Sequence, residues 1–358
     1  MRRLNNVVVV CKIQKIGRSD SHYSYYYDDK RYILSIWGIC DYRMSNSSSS
    51  SSSSFDGERF KIAQRQSWDS AATGWKEWWK TLEIAAQNVS DRLVELAEIK
   101  PGQKVLDIAT GIGEPAVTAA RKLVSAVAGS GNKDNNNNVN KGHVLATDIS
   151  AQMLTIAKQR AAAMGLHDII EFKEADAEKL ELPDSSFDVV LCRWGLMFMP
   201  HLSITFSHIF DALISGGRFV CAVWAEASKV PFGSLPMNIV MRELHVPPPP
   251  SGTPGQFALA DISILQGALS NAGFTSIHSE RLNVTFEFAT VEDYINYTKA
   301  TAAPITSMLS KESVKRQEEV WNIVREQVRN NYAADHTTTP NQSVRMDNEC
   351  ICVAAKKP

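Results

Sequence analysis

No pair of cysteines stands at zinc-type spacing: Cys11, Cys40, Cys192, Cys221, Cys350 and Cys352 are scattered through 358 residues. That pattern argues against a structural zinc knuckle, and no metal site is expected. Cys350 and Cys352 alternate with Ile351 and Val353 as strand neighbours do, and all six read as buried or incidental thiols of a reducing, cytoplasmic protein. Excess charge is missing too. With 38 Lys and Arg against 39 Asp and Glu the formal net charge is -1, so no global field draws the chain onto nucleic acid or an anionic membrane. A small molecule held by a local site is the expected partner, and the oligomeric state is not legible. Long apolar runs are also lacking: stretches such as Val7 to Val10 fall far short of the roughly 20 residues that a membrane span needs. The first 18 residues are basic and free of acidic residues, yet they lack the arginine-rich and serine-rich amphipathic stretch of a transit peptide.

What is present is ordinary globular composition, 44% hydrophobic and 22% charged, distributed unevenly. Residues 1–54 combine a Tyr/Asp-rich stretch with the polyserine tract Ser47 to Ser54, which cannot bury enough apolar surface to offset chain entropy, so a disordered extension is expected there. Residues 55–358 are expected to form one domain. Its first part, residues 55–100, places Trp68, Trp75, Trp78 and Trp79 at roughly helical spacing before the amphipathic stretch Val89 to Ile99. These tryptophans are either core or the aromatic face of a helical lid.

From Lys104 the pattern becomes strand, Gly-rich turn, helix: Val105 to Ala109, then Thr110-Gly111-Ile112-Gly113, then a helix opening near Glu114-Pro115, with proline suited to its first position. The core, residues 104–225, continues with strand His143 to Asp148, helix Ala151 to Met164 and strands Ile169 to Lys173 and Phe187 to Cys192. A helix from Ser203 to Leu213, the pair Gly216-Gly217 and strand Arg218 to Trp224 complete it. The Asn-rich tract 129–142 reads as a removable surface loop inserted into this core. Residues 226–345 hold acceptor-side insertions, Val230 to Gln256 and Thr290 to Thr338. The latter includes an amphipathic stretch, Lys311 to Asn330, with Val314, Val320, Ile323, Val324 and Val328 on its apolar side. Residues 349–355 are a final strand. Alternating strands and helices predict an α/β fold with a doubly wound, mostly parallel sheet.

In such a sheet a ligand lies beyond the carboxyl ends of the strands. There the sequence sets Asp107 with the turn at Gly111 and Gly113, then Asp148, then Asp176-Ala177, then Arg193-Trp194. Asp148 is suited to accept hydrogen bonds from two ribose hydroxyls, although a neighbour of a helix N-cap is the plainer reading of the same residue. Any one of these signals is weak, but four in order at four strand ends are specific.

These residues resemble the ordered motifs of class I S-adenosylmethionine-dependent methyltransferases, especially the branch similar to ubiquinone/menaquinone-biosynthesis (UbiE-like) small-molecule enzymes. Val105 to Gly113 resembles the first motif, Ala146 to Ser150 with Met153 the second, and Phe172 to Ala177 with Leu182-Pro183 and Phe187-Asp188 the third and fourth. Gly216-Gly217-Arg218-Phe219 matches the turn into the fifth strand. The resemblance implies a Rossmann-like seven-stranded sheet with an antiparallel final hairpin and S-adenosylmethionine as cofactor. It implies a cofactor site of Asp107, Ala109, Thr110, Gly111, Gly113, Asp148, Ile149, Met153, Asp176, Ala177 and Arg193. The turn would hold the methionine part, Asp148 the ribose, and Asp176 with Ala177 the adenine, against which Met153 packs. Ala109 departs from the pattern, standing where the family has the first glycine of its loop, and its backbone is expected to avoid positive φ.

A sulfonium is an activated leaving group, so the acceptor chemistry asks mainly for alignment and exclusion of water. His201 is the candidate base, with a surface or capping role as the plainer alternative, and Trp75, Trp194 and Trp224 are candidates to line an acceptor pocket. Two other readings remain. Gly111 to Ala116 also satisfies the G-x-G-x-x-G/A pattern of NAD(P)-dependent oxidoreductases, and a catalytically silent, methyltransferase-like binding protein would carry the same motifs.

Overall fold

Short runs of Val, Ile and Leu form strands covered on both faces, as parallel sheets require. The computed structural model describes residues 55–128, 142–333 and 343–358, and among these seven strands make one sheet in the order β3-β2-β1-β4-β5-β7-β6. β1 (Lys104–Ile108), β2 (His143–Asp148), β3 (Ile170–Glu174), β4 (Phe187–Arg193) and β5 (Leu213–Trp224) are mutually parallel. β7 (Val344–Lys356) runs antiparallel between β5 and β6 (Thr275–Phe288), the hairpin arrangement that the family resemblance implies. Val105, Leu106, Val189 and Val190 are essentially inaccessible, so both faces of the central strands are core.

α3 (Ala116–Ala128), α4 (Ala151–Ala163), α5 (Leu202–Ala212) and α7 (Ile262–Asn271) alternate with the strands. Two helices precede the sheet, α1 (Gly57–Glu77) and α2 (Trp79–Leu96). α6 (Pro231–Glu243), α8 (Val291–Thr301), α9 (Ala303–Leu309) and α10 (Val314–Tyr332) belong to the later insertions. The order of connection reverses between β1 and β4, so a crevice opens at their carboxyl ends. β5 stops at Trp224, opposite Cys350, whereas β6 and β7 stay paired as far as Phe288 and Val344. The hairpin therefore overshoots the sheet edge by about 20 Å and forms a wall above β5.

Several boundaries differ from the sequence expectation. α3 opens at Ala116, just after Pro115. β7 begins at Val344 rather than Glu349, because the alternating pattern of Arg345, Met346 and Asp347 continues the pairing with β6. In α10, Val320, Val324 and Val328 face inward with Trp321, but Val314 is 83% exposed, since the first residue of the helix lies beyond the packed stripe. Cys192, Cys221, Cys350 and Cys352 are free and buried. The expectations for residues 1–54 and, apart from Gly142, for the Asn-rich loop lie outside the described residues, as do Cys11 and Cys40.

Candidate active site

The turn after β1 is shaped by three left-handed residues, Ala109 (φ 57°), Gly111 (φ 56°) and Gly113 (φ 105°). Ala109 thus adopts the conformation that the sequence reading had it avoid. Its backbone is held between neighbouring strands: the Thr110 amide donates to Thr147 O at 2.9 Å, and this tie overrides the steric cost of a Cβ at positive φ. The Ala109 methyl group fits because Gly195 lies opposite, where a Cβ would come within 2.5 Å of it. A Cβ added to Gly111 would meet nothing within 4 Å, so the turn presents bare backbone to an open cradle. Gly113 serves packing instead, close against Ala157 of α4.

Asp148 fixes this turn from the end of β2. One carboxylate oxygen accepts from the Gly111 amide at 2.8 Å and the other from the Ser150 amide at 2.8 Å, while the Ser150 hydroxyl caps α4 by accepting from the Met153 amide. Burial pushes the Asp148 carboxyl up to about 6. Asp107 lies deeper, beneath the turn and fully buried, and accepts from the Ala116 amide at 3.0 Å, the first residue of α3. Burial raises it to about 7. Beside it stands Glu114, which the sequence reading treated only as part of a helix start. One of its oxygens accepts from the Thr118 hydroxyl at 2.7 Å; the other, Oε1, is buried with no hydrogen-bond partner among the described residues.

A cavity of about 280 Å³ runs along these strand ends. Ala109, Thr110, Gly111, Asp148, Ile149, Met153, Asp176, Ala177, Arg193, Trp75, Trp194 and Trp224 all line it, as do Glu114, Lys61 and Trp68. Asp107 and Gly113 support the turn without lining the cavity. His201 is absent from the lining: it is an exposed residue at the start of α5, with its ring against Gly57 and its amide donating to Glu178 Oε1 at 2.6 Å. Its place before an exposed helix end keeps it from the strand-end crevice, so the structure does not bring this candidate base to the site.

α1 closes the cavity through a buried ammonium. Lys61 is 8% exposed and pairs with Asp176 at 2.7 Å, Glu58 at 2.7 Å and Glu178 at 3.1 Å. Burial alone would lower it, but the three carboxylates hold it above the usual lysine range. Asp176 also caps the following 3-10 turn by accepting from the Glu178 amide. Asp69 of α1 accepts from the Ser150 hydroxyl at 2.6 Å, a second tie from lid to sheet.

The four N-terminal tryptophans divide between the two roles considered for them. Trp68 and Trp75 meet edge to face at 5.9 Å and line the cavity, Trp78 packs on Tyr297 and Phe288, and Trp79 lies under the Arg160 guanidinium at 4.9 Å. Arg193, whose guanidinium burial pushes below the usual range, donates to the Ser90 hydroxyl at 2.7 Å and sits 5.0 Å from the Trp194 ring centre. Trp194 itself stacks on Trp224 at 4.2 Å.

Residues 127–221 match the methyltransferase-domain family. The chain is similar to the ubiquinone/menaquinone biosynthesis C-methyltransferase UbiE of Brucella anthropi, 34% identical over 158 residues (44% of this chain and 51% of that protein). Its counterpart in Brucella abortus is 35% identical over 127 residues, 36% of this chain and 42% of that protein. The chain thus spans about half the length of the curated relatives it matches. Among solved structures, phosphoethanolamine N-methyltransferase 2 of Haemonchus contortus superposes with a TM-score of 0.45 and 18% identity, over 81% of this chain and 57% of that one. The methyltransferase-domain match covers β2 to β5 and begins downstream of the Gly-rich turn.

Proposed function

We propose that this chain binds S-adenosylmethionine at the β1 turn and catalyses methyl transfer to a carbon, oxygen or nitrogen nucleophile of a small molecule, a quinone-like acceptor included. The observation that carries the reading is the charge at the start of α3. A dinucleotide cofactor would lay its pyrophosphate on that helix N-terminus, but the Ala116 amide is already taken by Asp107, and Glu114 adds a second carboxyl group with one oxygen unpartnered. This end repels a pyrophosphate and suits a cationic ligand. Four carboxylates and two cations line the cavity; Lys61 is paired with Asp176, Glu178 and the non-lining Glu58, and Arg193 donates to Ser90 and Ala86, so Glu114 and Asp148 are the lining carboxylates without an ion pair among the described residues.

S-adenosylmethionine supplies a methyl group on a sulfonium, an activated leaving group. The residues present fit it: bare backbone at Gly111 for the methionine part, Asp148 for the ribose, and Asp176 and Ala177 with the buried Met153 for the adenine. The chain's own work is then orientation and exclusion of water, with α1 as the cover. A base from His201 is not part of this mechanism. Calorimetry with S-adenosylmethionine tests the site: Asp148→Ala is expected to weaken binding at least tenfold, and Asp107→Ala to do so by releasing the start of α3. Wild-type affinity in both variants would sink the assignment. Among the described residues no helix is long and apolar enough to cross a membrane.

A further inference from the structure

The cavity divides by charge. Its charged lining residues, Lys61, Glu114, Asp148, Asp176, Glu178 and Arg193, all come from α1 or from the segments at the ends of β1, β3, β2 and β4. From Trp224 to Ile305, the described lining contains no Asp, Glu, Lys, Arg or His. Aromatic rings wall this second half: Trp194 stacks on Trp224 at 4.2 Å, Trp224 meets Phe232 at 5.1 Å, and Phe232 stacks on Phe286 at 4.5 Å. An ionic ligand there would be desolvated beside rings with no local counter-charge, whereas a neutral ring would lose little.

Four polar side chains interrupt the apolar surface: Tyr297, Thr298 and Thr301 of α8, the two threonine hydroxyls donating to carbonyls of their own helix at 2.8 Å, and Gln256. Gln256 lies in the connection between α6 and α7, which the Gly255 amide anchors to Met197 O at 2.8 Å. Its side-chain amide rests over Gly233 of α6, where a Cβ would stand 2.6 Å from its nitrogen and 2.9 Å from its oxygen. The amide lines the cavity and has no hydrogen-bond partner among the described residues. Gly233 thus leaves room for a group that can both donate and accept.

We propose that the Trp224 to Ile305 half is an acceptor arm selecting an uncharged, planar ring compound with a hydroxyl or carbonyl group, and that Gln256 determines specificity by hydrogen bonding to that oxygen. This rests on reading the cavity as a methyl-transfer site, and it names the substrate class that the site takes.

Equilibrium dialysis of the full chain with naphthol, naphthalene and a ring-sulfonated naphthol provides the test. Wild type is expected to bind naphthol at least tenfold more tightly than the sulfonate. Gln256→Leu should weaken naphthol about tenfold and leave naphthalene unchanged. Gly233→Ala, whose Cβ displaces the amide, should reproduce that selective loss by a separate route. Equal affinity for naphthol and its sulfonate, unaltered naphthol binding in both variants, or an equal loss for naphthalene would overturn the proposal. So would a failure of naphthol to bind wild type. S-adenosylhomocysteine titrated against the same proteins separates the two readings: its failure to bind would remove the cofactor assignment, whereas the naphthol comparison judges the acceptor arm alone.

Discussion

Ala109 and Gly195 form a pair in which each residue depends on the other's size. A Cβ at Gly195 would also lie 3.0 Å from Cys192 Sγ, so there is no free direction in which it could move. Overpacking of this kind costs about 1–3 kcal/mol, and Gly195→Ala is expected to lower the urea unfolding free energy by that amount. Ala109→Gly alone should be nearly neutral, because relief of the left-handed strain offsets the added chain entropy. The double variant should recover more than half of the loss; strict additivity in the cycle would contradict the pairing. The buried carboxyl groups make a second prediction at this scale. Burial raises Asp107 from 3.8 to about 7 and Asp148 from 3.8 to about 6. The folded chain therefore keeps protons that the unfolded chain releases near pH 4, so these two groups cost stability as pH rises from about 4 to 7. Asp107→Asn retains an oxygen for the Ala116 amide and removes its share of this cost. Its stability relative to wild type should climb between pH 5 and 7.5, and a difference independent of pH would refute the linkage.

The β6–β7 extension is the element that makes an acceptor half out of a sheet edge. Asn348, 1% exposed, joins it to α6: its Nδ2 donates to Val284 O and Met346 O, while its Oδ1 accepts from the Phe232 amide at 3.0 Å. Val230 at the N-cap of α6 has no side-chain oxygen, so the cap comes from the hairpin. Asn348→Ala is expected to cost about 2–3 kcal/mol in urea unfolding, and a loss below 1 kcal/mol would show that the cap is dispensable. This element also marks where the sequence stops being legible. β1, β2, β4 and β5 announce themselves by apolar runs, because each has partners on both sides and is buried on both faces, whereas the edge strand β3 is marked only by Ile170 and Phe172 ahead of Asp176. β6, with Ser276, His278, Ser279, Glu280 and Arg281 along its first half, gives no such run, since it is an edge strand with one partner. Helices α8 and α9 are hard to read from the sequence because they are short, 11 and 7 residues, and mix threonine, alanine and proline with their apolar residues.

Across the whole molecule, the lid and the two ends of the cavity are joined by contacts far apart in sequence. Asp107, Asp148 and Asp176 could be read locally because each stands at a strand end, and the structure brings the latter two to the cavity wall. Lys61, Glu114 and Gln256 could not, because their meaning comes from partners or open space supplied by other elements: Lys61 meets Asp176 across more than a hundred residues, and Gln256 faces the cavity only because Gly233 lacks a Cβ. The placement of His201 shows the converse, since order along the chain put a histidine after β4 but not its ring in the crevice. The proposed cofactor assignment depends on the start of α3 being a site for a cation and not for a pyrophosphate. Titration calorimetry of the purified chain with S-adenosylmethionine, S-adenosylhomocysteine, NADH and NADPH in parallel tests that most directly. Saturable binding of the first two alone is the predicted result; tighter binding of either nicotinamide, or silence towards all four, would contradict it.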